Sequence, residues 1–190
     1  MKIFILPLLL ILASCGNFTE FETRKSKYAP ELLESDGALK KAFTLPLTGT
    51  LKRKRDGYIY LKVNDDYIYS LKSYFEGART PPYFRESDSP GAHISVVYAD
   101  ESYRLPKNLP ELQKKFSFTP IRFEKVTNRE GKVFYYLVVE SKELEDFRTK
   151  YGLSRKLHGH EYHITVGYNR VIKQRKPYFR HPKRVLEPAF

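Results

Sequence analysis

The chain carries the sequence AHISVVY at residues 92–98 and a second version of it, YHITVGY, at residues 162–168. Side chains alternate across a β-strand, so the histidine and the hydroxyl residue of each version share one face while the aliphatic residues take the other. Each version therefore predicts a strand that packs through one face and presents an imidazole and a hydroxyl on the other. The presented residues are His93, Ser95, His163 and Thr165.

The segments before the two patterns repeat as well. Residues 58–63, YIYLKV, and residues 134–139, FYYLVV, both predict strands, and each is followed by a helical stretch before its histidine strand. The chain therefore predicts two strand–helix–strand units in an α+β fold. A duplicated fold of this kind can bring both histidine–hydroxyl pairs to one cleft, around a single substrate atom.

Turn and cap signals predict further elements in the second half of the chain. Residues 119–126 and 132–140 predict a hairpin, because turn residues separate two strand-like stretches. Ser141 is suited to cap a helix that ends at Gly152. A short helix is also expected within residues 106–116.

Two histidines and two small hydroxyls suit the cleavage of a phosphodiester bond without a metal or cofactor. The ordinary pKa of imidazole is about 6.5, so one histidine can take a proton from water while the other, protonated, gives one to the departing oxygen. The Ser95 and Thr165 hydroxyls can hydrogen-bond the non-bridging phosphoryl oxygens. Their positions make Arg155, Lys156 and Tyr168 further candidates for phosphate binding. Which histidine is the acid stays open.

Two alternatives remain for the histidines. A strand histidine can simply be held by a local hydrogen bond, which is the commoner situation for one motif alone, whereas the duplication favours a shared site. The second alternative is zinc, because His158, His160 and His163 form a His-x-His-x-x-His cluster that includes Glu161. In an extended chain His158 and His160 point opposite to His163, so zinc would require a bend before the strand.

The first residues resemble a secretory signal that ends at a lipidation site. One lysine precedes the apolar run 3–12, which is too short to span a bilayer. It ends in Leu-Ala-Ser-Cys, which resembles the lipobox of bacterial lipoproteins. We therefore expect a signal peptide at 1–14 and lipidation of Cys15, the sole cysteine. An uncleaved N-terminal anchor is the alternative, and both put the protein on a membrane outside the cytoplasm.

The mature chain predicts one domain of ordinary size with a strong positive charge. Residues 15–50 are expected to be the lipidated N-terminus and a tether with a small docked element, residues 51–170 the domain, and residues 171–190 a basic tail. The formal net charge of +12 favours an anionic partner. A solvated surface that keeps the protein soluble is the alternative explanation, and no obligate protein partner is inferred.

Through its two histidine motifs the sequence resembles the 2H phosphoesterase superfamily, which includes the 2′-5′ RNA ligase-like and cyclic phosphodiesterase proteins. The resemblance covers about residues 50–170, and both His-x-Thr/Ser motifs match residue for residue. It implies a pseudo-symmetric, two-lobed α+β fold whose antiparallel sheets line a central cleft. It also implies that His93 and His163 are the catalytic pair.

The activity that this resemblance implies is that of a metal-independent phosphodiesterase, a hydrolase acting on 2′,3′-cyclic phosphate or 2′-5′ phosphodiester bonds. The substrate would be a nucleotide or an RNA end. The expected location is a bacterial envelope, with the outer membrane slightly preferred because Gly16 replaces the aspartate that marks inner-membrane retention in some bacteria. The alternative function is a non-catalytic envelope lipoprotein that binds nucleotide, nucleic acid or another anionic ligand in the same cleft.

Overall fold

The computed structural model describes residues 29–86 and 88–170, which form one antiparallel sheet of eight strands together with three α-helices. The elements in chain order are β1 (Glu31–Leu33), α1 (Asp36–Phe43), β2 (Thr48–Arg53), β3 (Ile59–Lys62), α2 (Asp66–Tyr69), β4 (His93–Val97), β5 (Lys115–Ser117), β6 (Thr119–Thr127), β7 (Lys132–Glu140), α3 (Lys142–Lys150) and β8 (His163–Arg170). The strand order across the sheet is β1-β6-β7-β8-β4-β3-β2-β5. The α+β class predicted from the sequence is confirmed, with one sheet in place of separate sheets.

The hydrophobic core takes the aliphatic side chains of the two histidine strands. Ile94 and Ile164, which stand between the histidine and the hydroxyl of each motif, are fully buried. Leu144 and Phe147 of α3 belong to the same cluster. Burying a side chain of this size stabilises the fold by roughly 1.5–3 kcal/mol. The alternation along β4 and β8 therefore fixes which face of each strand is left for the histidine and the hydroxyl.

The second half of the chain follows its local sequence signals. The predicted hairpin is present as β6 and β7, and the Asn128 side chain accepts hydrogen bonds from backbone N–H groups of the turn between them. Ser141 caps α3 as predicted, since its Oγ accepts a hydrogen bond from the Leu144 N–H at 3.2 Å. Gly152 follows the helix in the left-handed conformation, with φ of 71°.

The helix predicted within residues 106–116 is wrong. The segment consists of turns that lead into β5, and β5 pairs with β2 through Phe116 and Gly49. Gln113 has φ of 69°, a left-handed conformation that a right-handed helix does not contain. Burial of Phe116 and pairing with β2 therefore override the local helical tendency.

The packed part of the chain begins before residue 51. β1 pairs with β6, and α1 buries Ala38 and Ala42 completely, so the docked element within residues 15–50 is a strand and a helix. The signal peptide, Cys15 and the basic tail 171–190 lie outside the described residues. Among the residues that are described, no helix combines the length and the hydrophobicity needed to cross a membrane.

Candidate active site

The two histidine strands are neighbours in the sheet. β4 and β8 pair antiparallel through the isoleucines in the middle of the two motifs. Continuing this register by one residue sets His93 opposite Thr165 and Ser95 opposite His163. All four side chains are half-buried, on the face opposite the isoleucines. The histidines are then diagonal neighbours roughly 7–8 Å apart across the strand pair, which leaves room for one phosphoryl group between their rings.

Backbone carbonyl groups orient both imidazoles in the same way. His93 Nδ1 lies 2.7 Å from the carbonyl oxygen of Gly91, and His163 Nδ1 lies 3.0 Å from that of Glu161. A carbonyl oxygen only accepts hydrogen bonds, so Nδ1 carries a proton in each ring. Nε2 is therefore the nitrogen left to take a proton from a ligand or to give one.

The Gly91 carbonyl depends on a backbone conformation that suits glycine. Its φ is 66°, and a Cβ added there would overlap the Lys62 Nζ and the Asp65 carboxylate. Asp65 forms an ion pair with Lys62 and accepts a hydrogen bond from the Ala92 N–H at 2.8 Å. This ion pair therefore holds the segment that enters β4 immediately before the histidine.

Each motif hydroxyl has a tyrosine partner. The Tyr58 hydroxyl and Ser95 Oγ share a hydrogen bond at 2.6 Å. Tyr83, on the 3₁₀ turn Pro82–Arg85, lies close enough to the Thr165 side chain to affect the tyrosine's pKa. Burial raises the pKa of both tyrosines, and the neighbouring Ser95 and Thr165 side chains act in the opposite direction. Because the net change is upward from a value near 10, both phenols stay protonated near neutral pH.

Aromatic rings surround His93. Tyr58, Tyr60 and Tyr83 each meet its imidazole edge-to-face, with ring centroids 6.2, 5.8 and 5.9 Å away. Tyr60 belongs to β3, whose alternation puts its side chain on the same face of the sheet as the histidine. These rings crowd the imidazole and limit its orientations.

The charges that act on the pKa of His93 are positive. Lys62 is the residue directly across from it on β3, and Lys54 lies close enough to act on it. Burial lowers the pKa of His93, the hydrogen bond to Gly91 raises it, and the charges of His163, Lys62 and Lys54 lower it further. The surroundings therefore favour a neutral imidazole.

His163 borders a cavity of about 640 Å³. Aromatic rings supply much of its wall, among them Phe134 and Tyr136, and the Tyr136 ring centroid lies 5.1 Å from that of His163. Of the described residues, His163 and Thr165 line the cavity while His93 and Ser95 do not. The polar residues of the second motif therefore both border this cavity.

The charges around His163 differ from those around His93. Burial lowers the pKa of His163, and the hydrogen bond to the Glu161 carbonyl raises it. The charge of His160 lowers this pKa, whereas the carboxylate of Glu124 raises it. The net effect lowers the pKa of His163, although Glu124 by itself favours the imidazolium form.

A network of charged groups fixes that carboxylate in the cavity wall. Arg122 Nε donates to Glu124 at 2.7 Å, and its guanidinium also forms an ion pair with Glu161. The Tyr136 hydroxyl donates to the other carboxylate oxygen of Glu124 at 2.8 Å. Glu124 is therefore held between a cation and a phenol, directly behind the ring that contacts His163.

A bulge in β8 determines the position of Tyr168. The pairing with β7 shifts by one residue, so that Tyr136 pairs with Thr165 and Phe134 pairs with Tyr168. Paired residues share a face, so the shift returns Tyr168 to the face that carries Thr165. Its ring packs against Phe134, with centroids 5.5 Å apart.

Arg155 and Lys156 lie in the exposed loop between α3 and β8. Lys156 Nζ is 3.3 Å from Glu161, and the Arg155 carbonyl accepts a hydrogen bond from the Tyr162 hydroxyl at 2.8 Å. Neither is among the described residues that line the cavity beside His163. The structure thus brings the four motif residues together and leaves these two basic side chains in the neighbouring loop.

The basic and phenolic groups closest to the motifs were not singled out in the sequence. Tyr60 and Lys62 could have been predicted from the sequence, because they are two residues apart on the strand that pairs with β4 and so share one face of it. Nothing in the local sequence predicts that Tyr83 and Arg122 lie near the motifs, since Tyr83 is in a proline-containing loop and Arg122 is on the more distant strand β6.

The loop histidines have partners of their own. His158 Nε2 lies 3.6 Å from Asp100 and its ring contacts Tyr98, while His160 lines the cavity. Within residues 29–86 and 88–170, no three histidine, cysteine or acidic side chains are grouped to hold a metal ion, and this includes the His-x-His-x-x-His cluster.

The comparison with protein families agrees with this arrangement. Residues 59–171, more than half of the chain, match the model described as "Swiss Army Knife, 2H phosphoesterase domain", so the chain belongs to the 2H phosphoesterases. The matched segment begins in β3 and includes both histidine strands. No curated protein and no solved structure matches the chain.

Proposed function

We propose that the chain is a metal-independent phosphodiesterase that cleaves 2′,3′-cyclic phosphate or 2′-5′ phosphodiester bonds in nucleotides or RNA ends by two-histidine acid/base catalysis. The proposal rests on one observation, the antiparallel register of β4 and β8, which unites a histidine and a hydroxyl from each strand. Membership in the 2H phosphoesterases supports a phosphoesterase-type activity.

The chemistry follows from the protonation of the two rings. With Nδ1 bonded to a carbonyl, each Nε2 faces the substrate, so one neutral ring can accept a proton from water while the other, charged, donates to the leaving oxygen. Ser95 and Thr165 would bind the non-bridging phosphoryl oxygens, oriented by Tyr58 and Tyr83. Tyr168 lies on the same face of β8, whereas Arg155 and Lys156 would have to approach from the loop.

We also propose that the domain is a pseudo-symmetric duplication. The strand order supports this, because β2-β3-β4 and β6-β7-β8 lie on either side of the line where β4 meets β8. In each half, a helix follows the middle strand and precedes the histidine strand. Each half would then supply one histidine and one hydroxyl to the cleft between them.

The proposed location follows from the N-terminal sequence. The signal at 1–14 and Cys15 favour a lipid-anchored protein in a bacterial envelope, with the outer membrane preferred. Such a location would expose the domain to RNA fragments and nucleotides outside the cytoplasm. The basic tail 171–190 would add attraction for anionic substrates or lipid headgroups.

Ring opening of a nucleoside 2′,3′-cyclic phosphate in the presence of EDTA tests the enzymatic proposal. The full chain is compared with His93→Ala and His163→Ala, and with His158→Ala as a matched loss of imidazole outside the motifs. Removing either acid/base group is expected to slow turnover about 10²–10⁴-fold, and the control is expected to remain near wild type. Circular dichroism verifies that each variant is folded.

The outcomes separate catalysis from binding. Turnover that survives the chelator and is lost in both motif variants supports the proposal. Loss of wild-type turnover in EDTA contradicts a metal-independent reaction. If all variants bind the nucleotide and wild type cleaves neither cyclic nor 2′-5′ substrates, the alternative function, a non-catalytic lipoprotein that binds anionic ligands, is favoured.

A further inference from the structure

The face of the sheet that carries the two motifs continues past them onto three more strands. Residues that pair across neighbouring strands share a face, so the register can be followed outward from β4. Ser95 pairs with Tyr60 of β3, and Tyr60 pairs with Lys52 of β2. Neighbouring strands lie about 4.8 Å apart, so the backbones at Lys52 and Ser95 are about 10 Å apart. A lysine therefore stands on the motif face two strands away from Ser95.

A second lysine continues this line on β5, the last strand of the sheet. Thr50, on the same face of β2 as Lys52, pairs with Lys115 of β5. Phe116, the next residue of β5, is buried in the core, so the Lys115 side chain lies on the opposite face, where it is exposed. Within residues 29–86 and 88–170, neither Lys52 nor Lys115 forms an ion pair. Both ammonium groups are therefore available to an anionic ligand.

A recess of about 280 Å³ lies between β2 and the loop before β4. Tyr69 and Phe84 line it, with their ring centroids 5.4 Å apart and their planes nearly perpendicular. Tyr69 is 54% exposed, so part of this aromatic surface is open to a ligand. Lys62 and Asp65, which also line the recess, form an ion pair, and Glu86 adds a second carboxylate. The recess thus combines aromatic rings with hydrogen-bond donors and acceptors, the groups that bind an unstacked nucleobase.

We propose that this surface binds a single-stranded oligonucleotide that extends from the phosphate held by the two motifs across β3, β2 and β5. One base of the strand stacks in the recess on Tyr69 and Phe84, and neighbouring phosphates contact Lys52 and Lys115. These four side chains form the flanking surface. The inference rests on the proposed phosphodiesterase function for the position of the reacting phosphate, and it adds a binding surface outside that site. Aromatic rings beside a line of positive charge are the usual arrangement for binding single-stranded nucleic acid.

An anionic lipid surface is the other partner that lysines attract, and the position of these two favours nucleic acid. Lys52 and Lys115 lie on the face that carries the motifs, so a membrane in contact with them would also cover the cleft. β1, the first strand after the proposed lipid anchor, lies at the opposite edge of the sheet from β5, about 33 Å away at the usual strand spacing. The anchor would therefore join the domain on the far side from Lys115.

Fluorescence anisotropy with a labelled single-stranded RNA tetranucleotide that ends in a 3′-phosphate tests this surface separately from catalysis. The dissociation constant is measured over a range of salt concentrations for the full chain and for Lys52→Met and Lys115→Met. For single strands, each phosphate contact adds about 0.7 to the slope of log affinity against log salt, which is about fivefold in affinity at 0.1 M salt. Each variant is expected to weaken binding by this factor and to lower the slope by this amount. Lys40→Met, exposed on α1, is the matched control and is expected to change neither.

Tyr69→Ala distinguishes a nucleic-acid surface from a site for any polyanion. It is expected to weaken binding of the tetranucleotide about tenfold, because a stacked base is lost, and to leave binding of inorganic polyphosphate unaltered. Tyr103→Ala removes an exposed ring that does not line the recess, and it is expected to leave both affinities near wild type. Tyr69→Leu replaces the alanine variant if circular dichroism shows that it does not fold.

The outcomes separate this surface from its rivals and from the proposed function. Wild-type affinity and salt slope for RNA in both lysine variants overturn the proposal. If these variants instead lose binding only to vesicles that contain phosphatidylserine, the lysines serve a lipid surface. Equal weakening of RNA and polyphosphate binding by Tyr69→Ala overturns base stacking in the recess. Binding of RNA through these residues by a wild type that cleaves no phosphodiester supports the surface and overturns the proposed activity.

Discussion

The strands β4 and β8 carry the same motif, yet they function in unlike surroundings. His93 is enclosed by tyrosine rings and lysines, whereas His163 opens onto a cavity with a carboxylate in its wall. The orientation of the two imidazoles is the same, because each Nδ1 meets the carbonyl two residues earlier. The comparison teaches that the motif sets the position of the imidazole, and that residues outside the motif set the charges and the space around it.

One buried side chain links the two regions. Arg148 of α3 is fully buried, and its guanidinium donates to the Val96 carbonyl of β4 at 2.6 Å. It also forms a bidentate pair with Glu101, with N–O distances of 2.9 and 3.0 Å. Its Nε donates to the Ser154 carbonyl in the loop before β8. The end of one histidine strand and the approach to the other are therefore tied to a single guanidinium.

The largest expected effect comes from breaking this link. Arg148→Ala should lower the free energy of unfolding by about 3–5 kcal/mol, because it leaves a largely buried carboxylate and several carbonyls without their donor. Urea denaturation measures the change. Arg104→Ala is the matched control, an arginine that stacks on the exposed Tyr103, and little change is expected there. Equal losses in the two variants would refute the idea that Arg148 joins the halves.

A medium effect is expected in the cavity that distinguishes the second motif. Phe134→Ala should raise the KM for a nucleoside 2′,3′-cyclic phosphate about tenfold, since stacking a base on an aromatic ring contributes about 1–3 kcal/mol. The KM for ribose 2′,3′-cyclic phosphate, which lacks the base, should change little. Steady-state kinetics on both substrates provides the measurement.

The control for this change is Tyr103→Ala, which removes an aromatic ring that is 75% exposed and does not line the cavity. It should leave both KM values unaltered. A rise of KM by the same factor for the substrates with and without a base would show that Phe134 supports the strand rather than the nucleoside.

The motif residues were predictable because their signals are local. Alternation along β4 and β8 identifies the face with the histidines, and the Ser141 cap and the β6–β7 turn need no distant partner. The pairing of β4 with β8, and the approach of Tyr83 to Thr165, join residues far apart in the chain. No local sequence pattern encodes such contacts. The different environments of His93 and His163 could therefore be seen only in the folded structure.

The smallest expected effect is also the sharpest test of the comparison. Lys62→Met removes a positive charge next to His93, so the pKa of His93 should rise toward its ordinary value. Glu124→Gln removes a negative charge near His163, so the pKa of His163 should fall further below it. The two substitutions therefore shift different histidines in opposite directions. NMR titration of the imidazole resonances without substrate, assigned with the His→Ala variants, measures both.

Lys40→Met, on the exposed side of α1, is the control and should leave both pKa values in place. If the pKa values of both histidines shifted in the same direction in each variant, the two imidazoles would share one electrostatic environment. The two halves of the repeat would then be alike in electrostatics as well as in sequence. Shifts of the two pKa values in opposite directions mean that each histidine responds to its own nearby charges. The two related motifs would then differ in protonation because Lys62 of β3 acts on one histidine and Glu124 of β6 acts on the other.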